Sequence, residues 1–128
     1  MRILILEDDP ERITQFMQKL VGHDVEVEMS TEGAIDLLEN TLVPFDAMLL
    51  DHDLGGEVFV DSSREDTGME FVRRLVETDH PKVPVGVHSA NPGGRANMLG
   101  LLKQHGWPAE PMQFAWTFSD LAGALEDW

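Results

Sequence analysis

The chain has no cysteine among its 128 residues. That excludes a disulfide framework and any thiolate zinc site. It also has no apolar run near the ~20 residues a membrane-spanning helix needs. Basic residues are scarce, with nine Lys and Arg against 24 Asp and Glu and a formal net charge of −15. Non-specific binding to nucleic acid or to an anionic membrane relies on basic surface, so neither is expected. The only lysines are Lys19, Lys82 and Lys103. Met1-Arg2-Ile3 leads straight into an apolar segment and lacks the length and cleavage site of a signal peptide. Together with the missing cysteines, this makes a cytoplasmic location the expectation.

What is present reads as one domain over residues 1–128. Hydrophobic residues make up 42%, slightly below the usual globular range but far from that of a disordered chain. Apolar runs alternate with helical patterns, the signature of repeated βα units. The first strand covers residues 2–6. Asp9 followed by Pro10 is a helix start, with Asp as cap and Pro at the first helical position. Ile13, Phe16, Met17 and Leu20 then recur at helical spacing, and Gly22 ends that helix. Val25, Val27 and Met29 alternate with Glu26 and Glu28, as in a half-buried edge strand.

Ser30 or Thr31 caps a second helix. Residues 45–50 form a central strand covered on both faces. Thr67-Gly68-Met69-Glu70 matches a capping box, followed by a helix carrying Phe71, Val72, Leu75 and Val76. Residues 83–87 form the fourth strand. Asn91-Pro92-Gly93-Gly94 reads as a turn, and residues 96–105 as a helix. Residues 113–116 are the expected fifth strand, and Ser119 the cap of a last short helix. Residues 54–66 make a long loop for a βα connection, with a possible small hairpin at 57–61. A loop of that length beside a strand tip is expected to shape a site.

Four strand ends carry reactive side chains: Glu7-Asp8-Asp9, Asp51-His52-Asp53, His88-Ser89 and Trp116-Thr117. Parallel strands would bring these tips to one edge, where open α/β sheets place their ligands. Carboxylates from two strands would then share a pocket. At ~4 Å and an effective dielectric near 20, two such charges repel by roughly 4 kcal/mol. A divalent cation with oxygen ligands relieves that repulsion. Metal-dependent phosphate chemistry is therefore the first expectation. His23, His80 and His105 are expected to be structural.

These residues resemble the receiver domain of two-component response regulators over nearly the whole chain. Residues 3–9 look like its first strand and acidic pair. Phe45-Asp46-Ala47-Met48-Leu49-Leu50-Asp51 looks like the strand ending in the phosphoacceptor aspartate. Pro84-Val85-Gly86-Val87-His88-Ser89-Ala90 looks like the strand ending in the switch Ser/Thr. The resemblance implies a flavodoxin-like three-layer α/β/α sandwich with a five-stranded parallel sheet in the order 2-1-3-4-5. It implies Mg²⁺ (or Mn²⁺) held by Asp8 and Asp51 and by the backbone carbonyl of Asp53, with Glu7 acting through water. It makes Asp51 the acceptor or central ligand, and Ser89 a contact to a bound phosphoryl group.

The chain departs from ordinary receivers at several places. The Lys that ends their fifth strand is matched by Trp116. The Met-Pro after the acceptor is missing. His52 and His88 stand where receivers usually have apolar residues. Asp51-His52-Asp53-Leu54 with Val87-His88-Ser89-Ala90-Asn91-Pro92 looks more like a divergent branch, the proposed cyclic-phosphate-processing receivers found with RNA-repair and conflict-system genes. That branch implies a metal-dependent phosphoesterase. For such chemistry His52 and His88 suit the acid and base, Ser89 would hold phosphoryl oxygens, and Arg95 is read equally as a replacement for the missing Lys charge or as a surface residue. The partner is then a phosphate-containing small molecule or an RNA end. Two alternatives stay open: a signalling receiver that accepts phosphate on Asp51 and acts on a separate protein, and a non-catalytic pseudo-receiver that mediates protein contacts.

Overall fold

The structure is a computed structural model and describes residues 1–54 and 60–112. Among the described residues five strands form one parallel sheet: β1 (Arg2–Leu6), β2 (Asp24–Glu28), β3 (Ala47–Leu50), β4 (Val85–Val87) and β5 (Ala109–Pro111). Their order is β2-β1-β3-β4-β5, as the receiver resemblance implies. The helices are α1 (Pro10–Lys19), α2 (Thr31–Asn40), α3 (Gly68–Leu75) and α4 (Pro92–Gln104).

Strand alternation sorts the core into two halves. Leu4, Leu6, Met48, Leu50, Val85 and Val87 face α2, α3 and α4, where they meet Leu38, Phe71, Leu75, Met98 and Leu102. Ile3, Ile5, Ala47 and Leu49 face the other way, against Phe16 and Leu20 at α1 and against Met112. All of β1 after Arg2, and all of β3 and β4, is buried. A Leu or Ile side chain so placed stabilises by about 1.5–3 kcal/mol relative to exposure. β2, with its Glu at every second position, is only half-buried and lies at the sheet edge, as expected.

Each helix starts on a side-chain cap. Asp9 accepts from the Glu11 N–H, Ser30 from Gly33, Thr67 from Glu70 and Asn91 from Gly94. Losing such a cap costs roughly 0.5–2 kcal/mol. The Asn91 cap corrects one expectation: residues 91–94 are not a separate turn but the cap and first turn of α4. Pro92 at the first helical position and the bond from Gly94 N–H to Asn91 Oδ1 (3.0 Å) explain why a turn-like sequence starts a helix.

The fifth strand also differs. β5 pairs Ala109 with Val85 and Pro111 with Val87, so it runs four residues ahead of the expected start at Gln113. Residues 113–116, Ser119 and the helix expected after it lie outside the described residues, as does most of the expected hairpin at 57–61. His80 is structural as expected. Its Nε2 accepts from the Phe45 N–H at 3.0 Å, and its ring stacks with Phe45 and Trp107. Among the described residues no helix is long and apolar enough to cross a membrane.

Candidate functional site

The sheet register sets the site. Leu6 pairs with Leu50, and Leu50 with Val87. One residue further along, the Asp51 N–H donates to the Leu6 carbonyl and the His88 N–H to the Leu50 carbonyl, each at 3.0 Å. Glu7, Asp51 and His88 therefore form the next row across β1, β3 and β4. Alternation puts all three on the α1 face: Glu7 continues Ile3 and Ile5, Asp51 continues Ala47 and Leu49, and His88 continues Gly86. The His88 ring lies 5.1 Å from that of Phe16 on α1, which fixes the same face independently.

All three side chains are buried, and they offer ligand atoms within 4.8 Å of one another. Glu7 Oε2 accepts from the backbone N–H groups of Asp8 (3.0 Å) and Asp9 (3.2 Å). Its Oε1 lies 3.2 Å from His88 Nε2. The Arg12 guanidinium reaches in from α1, with Nη1 3.6 Å from Glu7 Oε1 and 3.9 Å from Asp51 Oδ2. Asp51 Oδ1 accepts from the His52 N–H at 2.8 Å.

The electrostatics follow from burying two acids side by side. Burial pushes the Asp51 carboxyl up to about 8, and the negative charge of Glu7 adds to the rise; the His52 N–H and Arg12 oppose it. Burial also pushes Glu7 up. The hydrogen bond and charge of His88, the Asp9 amide and Arg12 outweigh this, and Glu7 settles below the usual carboxylate range. Burial holds His88 below the usual imidazole range despite the pull of Glu7. Near neutral pH, Glu7 is thus the ionised acid, Asp51 keeps its proton, and neutral His88 donates Nε2–H to Glu7.

This donor set suits a divalent cation. Carboxylate oxygens bind Mg²⁺, Ca²⁺ and Mn²⁺, and an imidazole nitrogen as third ligand favours the transition metals among dications. A cation would displace the proton on Asp51 and offset the Glu7–Asp51 repulsion.

Several site expectations change. The carboxylate brought to Asp51 is Glu7, through its own side chain. Asp8 is half-buried and does not belong to the three-residue group. His52 does not share the pocket of His88. It follows Asp51 in sequence, so its side chain points to the α3–α4 face. There its Nδ1 lies 2.7 Å from Asp53 Oδ1 and its Nε2 2.9 Å from Ser62 Oγ. Asp53 Oδ1 also accepts from Asn91 Nδ2 (3.1 Å) and the Val60 N–H (3.2 Å), so its side chain serves the second network; the expectation for Asp53 as a ligand concerns its backbone carbonyl.

Ser89 is buried, and its Oγ accepts from the Asn91 N–H at 3.1 Å. Arg95 donates to the Ser89 carbonyl at 3.3 Å. The cation beside the acids is Arg12, which sequence reasoning missed. A signal existed: Arg12 is three residues past the Asp9 cap, on the first turn of the helix that leaves the Glu7 tip. Trp116 lies outside the described residues.

The helix and loop after Asp51 fit tightly against it. The Gly68 N–H donates to the His52 carbonyl at 2.9 Å, and a Cβ at Gly68 would run into the Asp51 carbonyl. Gly94 plays the same part for α4, where a Cβ would run into the His52 ring.

Comparison with known proteins agrees with this architecture. The family described as "Cyclic-phosphate processing Receiver domain" matches residues 2–104. Among solved structures, the receiver domain of sensor histidine kinase PA1611 from Pseudomonas aeruginosa PAO1, described with a magnesium ion in its active-site cleft, superposes with a TM-score of 0.73. It is 23% identical, over 99% of this chain and 95% of that one. A CheY-like receiver domain from Methanospirillum hungatei JF-1 gives a TM-score of 0.72 at 19% identity, over 98% and 90% of the two chains. One from Methylobacillus flagellatus gives 0.71 at 17%, over 99% and 97%. At these identities the likeness shows the fold. No curated protein matches the chain in sequence.

Proposed function

The chain belongs to the cyclic-phosphate processing receiver domain family, and on that premise we propose that it is a phosphoesterase acting on a cyclic phosphate at a divalent-cation pocket made by Glu7, Asp51 and His88. The observation that carries this reading is the row itself: two buried carboxylates and an imidazole with ligand atoms within 4.8 Å, and a guanidinium at their edge. Mg²⁺ and Mn²⁺ are the expected ions, and the PA1611 receiver domain is described with magnesium in its cleft.

When bound, the cation supplies Lewis acidity toward a phosphoryl oxygen. The chain's own residues do the rest. Glu7 and Asp51 set the ligand positions, Glu7 through two backbone amides and Asp51 through the His52 N–H. Arg12 offsets phosphoryl charge, the part that the receiver Lys would play. In the metal-free pocket His88 Nε2 carries the proton nearest the carboxylates; to hold a cation through that nitrogen the ring takes the Nδ1–H tautomer. The ring of His52 takes no part in this pocket.

The test is Mn²⁺ binding followed by paramagnetic resonance and calorimetry in wild type, Glu7→Gln and Asp51→Asn, with hydrolysis assays on 2′,3′-cyclic mononucleotides and cyclic-phosphate-ended RNA. Binding that is lost in both variants, with metal-dependent turnover in wild type, supports the reading. Equal Mn²⁺ affinity in all three proteins overturns the site. Binding without turnover of any cyclic phosphate overturns the reaction and favours the signalling alternative. For that alternative, the place of Asp51 at the tip of β3 is the supporting observation, and stoichiometric labelling by a small phosphodonor is its test.

A further inference from the structure

On the face of the sheet opposite the Glu7 row, His52 sits between a carboxylate and a hydroxyl. Its Nδ1 is 2.7 Å from Asp53 Oδ1 and its Nε2 2.9 Å from Ser62 Oγ. The imidazole is fully buried, so these two groups settle its tautomer. Asp53 Oδ1 also receives the Val60 N–H and the Asn91 amide, and is an acceptor throughout. Nδ1 therefore carries the ring hydrogen, Nε2 presents its lone pair, and the Ser62 hydroxyl donates to it. Gly94 packs so close to the ring that a Cβ there would run into it.

We infer that Ser62, His52 and Asp53 form a second reactive site, in which Ser62 is an activated nucleophile toward a neutral acyl donor such as a carboxylic ester. The roles are those of a serine–histidine–aspartate triad, a constellation recognised by geometry on unrelated folds. Ser62 is half-buried, and Asn97 beside it on α4 is exposed, so the hydroxyl is reachable from solvent. Asn97 Nδ2 donates to Ser62 Oγ at 2.9 Å. That places a carboxamide donor on the reacting oxygen itself, where it helps to hold the hydroxyl in place.

The surroundings favour a neutral substrate over a phosphate. Arg73 Nη1 is spent on the Ser62 carbonyl, and Arg64 is paired with Asp66. Asp53 and the exposed Asp61 add negative charge nearby.

In the step, Ser62 Oγ bonds to the carbonyl carbon while its proton passes to His52 Nε2. The C–O bond to the leaving alcohol breaks, and the alkoxide takes that proton. Water then adds to the acyl carbon, giving a proton to the same nitrogen; the Oγ–C bond breaks, Ser62 Oγ takes that proton back, and the carboxylic acid leaves. Asp53 is a positioning residue that keeps Nδ1–H aimed. This site uses none of the three side chains of the metal row and stands whether or not that row binds a cation.

The experiment uses a fluorophosphonate probe, which forms an Oγ–P bond as the P–F bond breaks and fluoride leaves. The full chain is labelled and the adduct located by mass spectrometry, in native protein and in urea. Labelling of Ser62 in the native state, with Ser63 as the adjacent internal comparison, and its loss in urea is the expected result. His52→Gln should slow labelling by about 10²–10⁴, the usual contribution of a general base. Asp53→Asn should slow it too, while Ser62→Ala removes the adduct. No adduct on Ser62, equal labelling of Ser63, or persistence in urea overturns the proposal. So does wild-type labelling in a His52→Gln protein that unfolds with a normal transition. If His52→Gln does not fold, the native-against-urea comparison in wild type decides alone.

Discussion

Glu7 and Asp51 stand side by side on adjacent parallel strands, and the one proton they hold near neutral pH is on Asp51. Burial and the neighbouring charge raise Asp51 to about 8, while Glu7 is held low by His88, the Asp9 amide and Arg12 against its own burial. A metal that binds both acids must expel that proton. Affinity for Mn²⁺ should rise by up to about tenfold per pH unit between pH 6 and 8, then level off. Calorimetry in buffers of differing ionisation enthalpy should show close to one proton released per ion near pH 6.5. A flat affinity profile over this range would count against Asp51 as a ligand.

The same shift sets how stability varies with pH. The folded chain holds a proton on Asp51 between the ordinary value of 3.8 and about 8, a range in which the unfolded chain has released it. Fewer protons on the unfolded state means that stability falls as pH rises through this window, by at most about 1.4 kcal/mol per unit. Asp51→Asn removes this contribution and leaves that of His88, whose lowered pKa acts with the opposite sign below its ordinary 6.5. In metal-free protein the variant should therefore be more stable than wild type, and by more at pH 8 than at pH 5. Thermal melts at both pH values check the ordering, and Mn²⁺ should reverse the sign of the difference.

Arg12 should have opposite effects on cation and anion. Its guanidinium is 3.6 Å from Glu7 and 3.9 Å from Asp51, with its side chain 36% exposed. Exposure to water screens its effect, so the change is modest. Arg12→Met should tighten Mn²⁺ binding by roughly 1.4- to fivefold, because a competing charge of about 0.2–1 kcal/mol is removed. It should weaken binding of inorganic phosphate to the metal-loaded protein. Phosphate affinity equal to that of wild type would remove Arg12 from the site.

Three glycines give a graded test of close packing. Gly68→Ala drives a methyl into the backbone carbonyl of Asp51, which cannot swing aside. Gly94→Ala drives one into the His52 ring, which is held by Asp53 and Ser62. Overpacking of this kind costs about 1–3 kcal/mol, and more where backbone must move. Gly100 has open space around its Cβ position inside α4, so Gly100→Ala should stabilise by about 0.5–1 kcal/mol. Denaturant melts should rank the variants Gly100→Ala, wild type, Gly94→Ala, Gly68→Ala from most to least stable.

The fold was legible because the apolar runs and caps agree with one another. The first strand is found at its expected residues, and Asp9, Ser30 and Thr67 all cap as read. The start of α4 was misread because Asn-Pro-Gly-Gly serves a tight turn and a capped helix equally well; only the tertiary setting, with Gly94 against His52, decides. The Ala109–Pro111 strand was hidden because three residues with a Glu and a Pro carry no alternation.

At the site, Asp51 and His88 were readable from their place after apolar runs. Which acid would pair with Asp51 was not. That depends on the register Leu6–Leu50–Val87, a long-range property that puts Glu7 in the row and leaves Asp8 out. Strand alternation alone separates His52 from Asp51, and Arg12 is found only by knowing how α1 lies over the sheet.

The separation of Asp51 and His52 has a mechanical consequence. A single peptide plane joins the two faces, and its N–H is itself the donor to Asp51 Oδ1, while the Gly68 N–H grips the next carbonyl, that of His52. Tilting this plane re-aims a carboxylate on one side of the sheet and an imidazole on the other in the same motion. The two faces are thus geared together through one amide. Substitutions on opposite faces, such as Glu7→Gln and Ser62→Ala, should then fail to add in a double-mutant cycle although their side chains never meet.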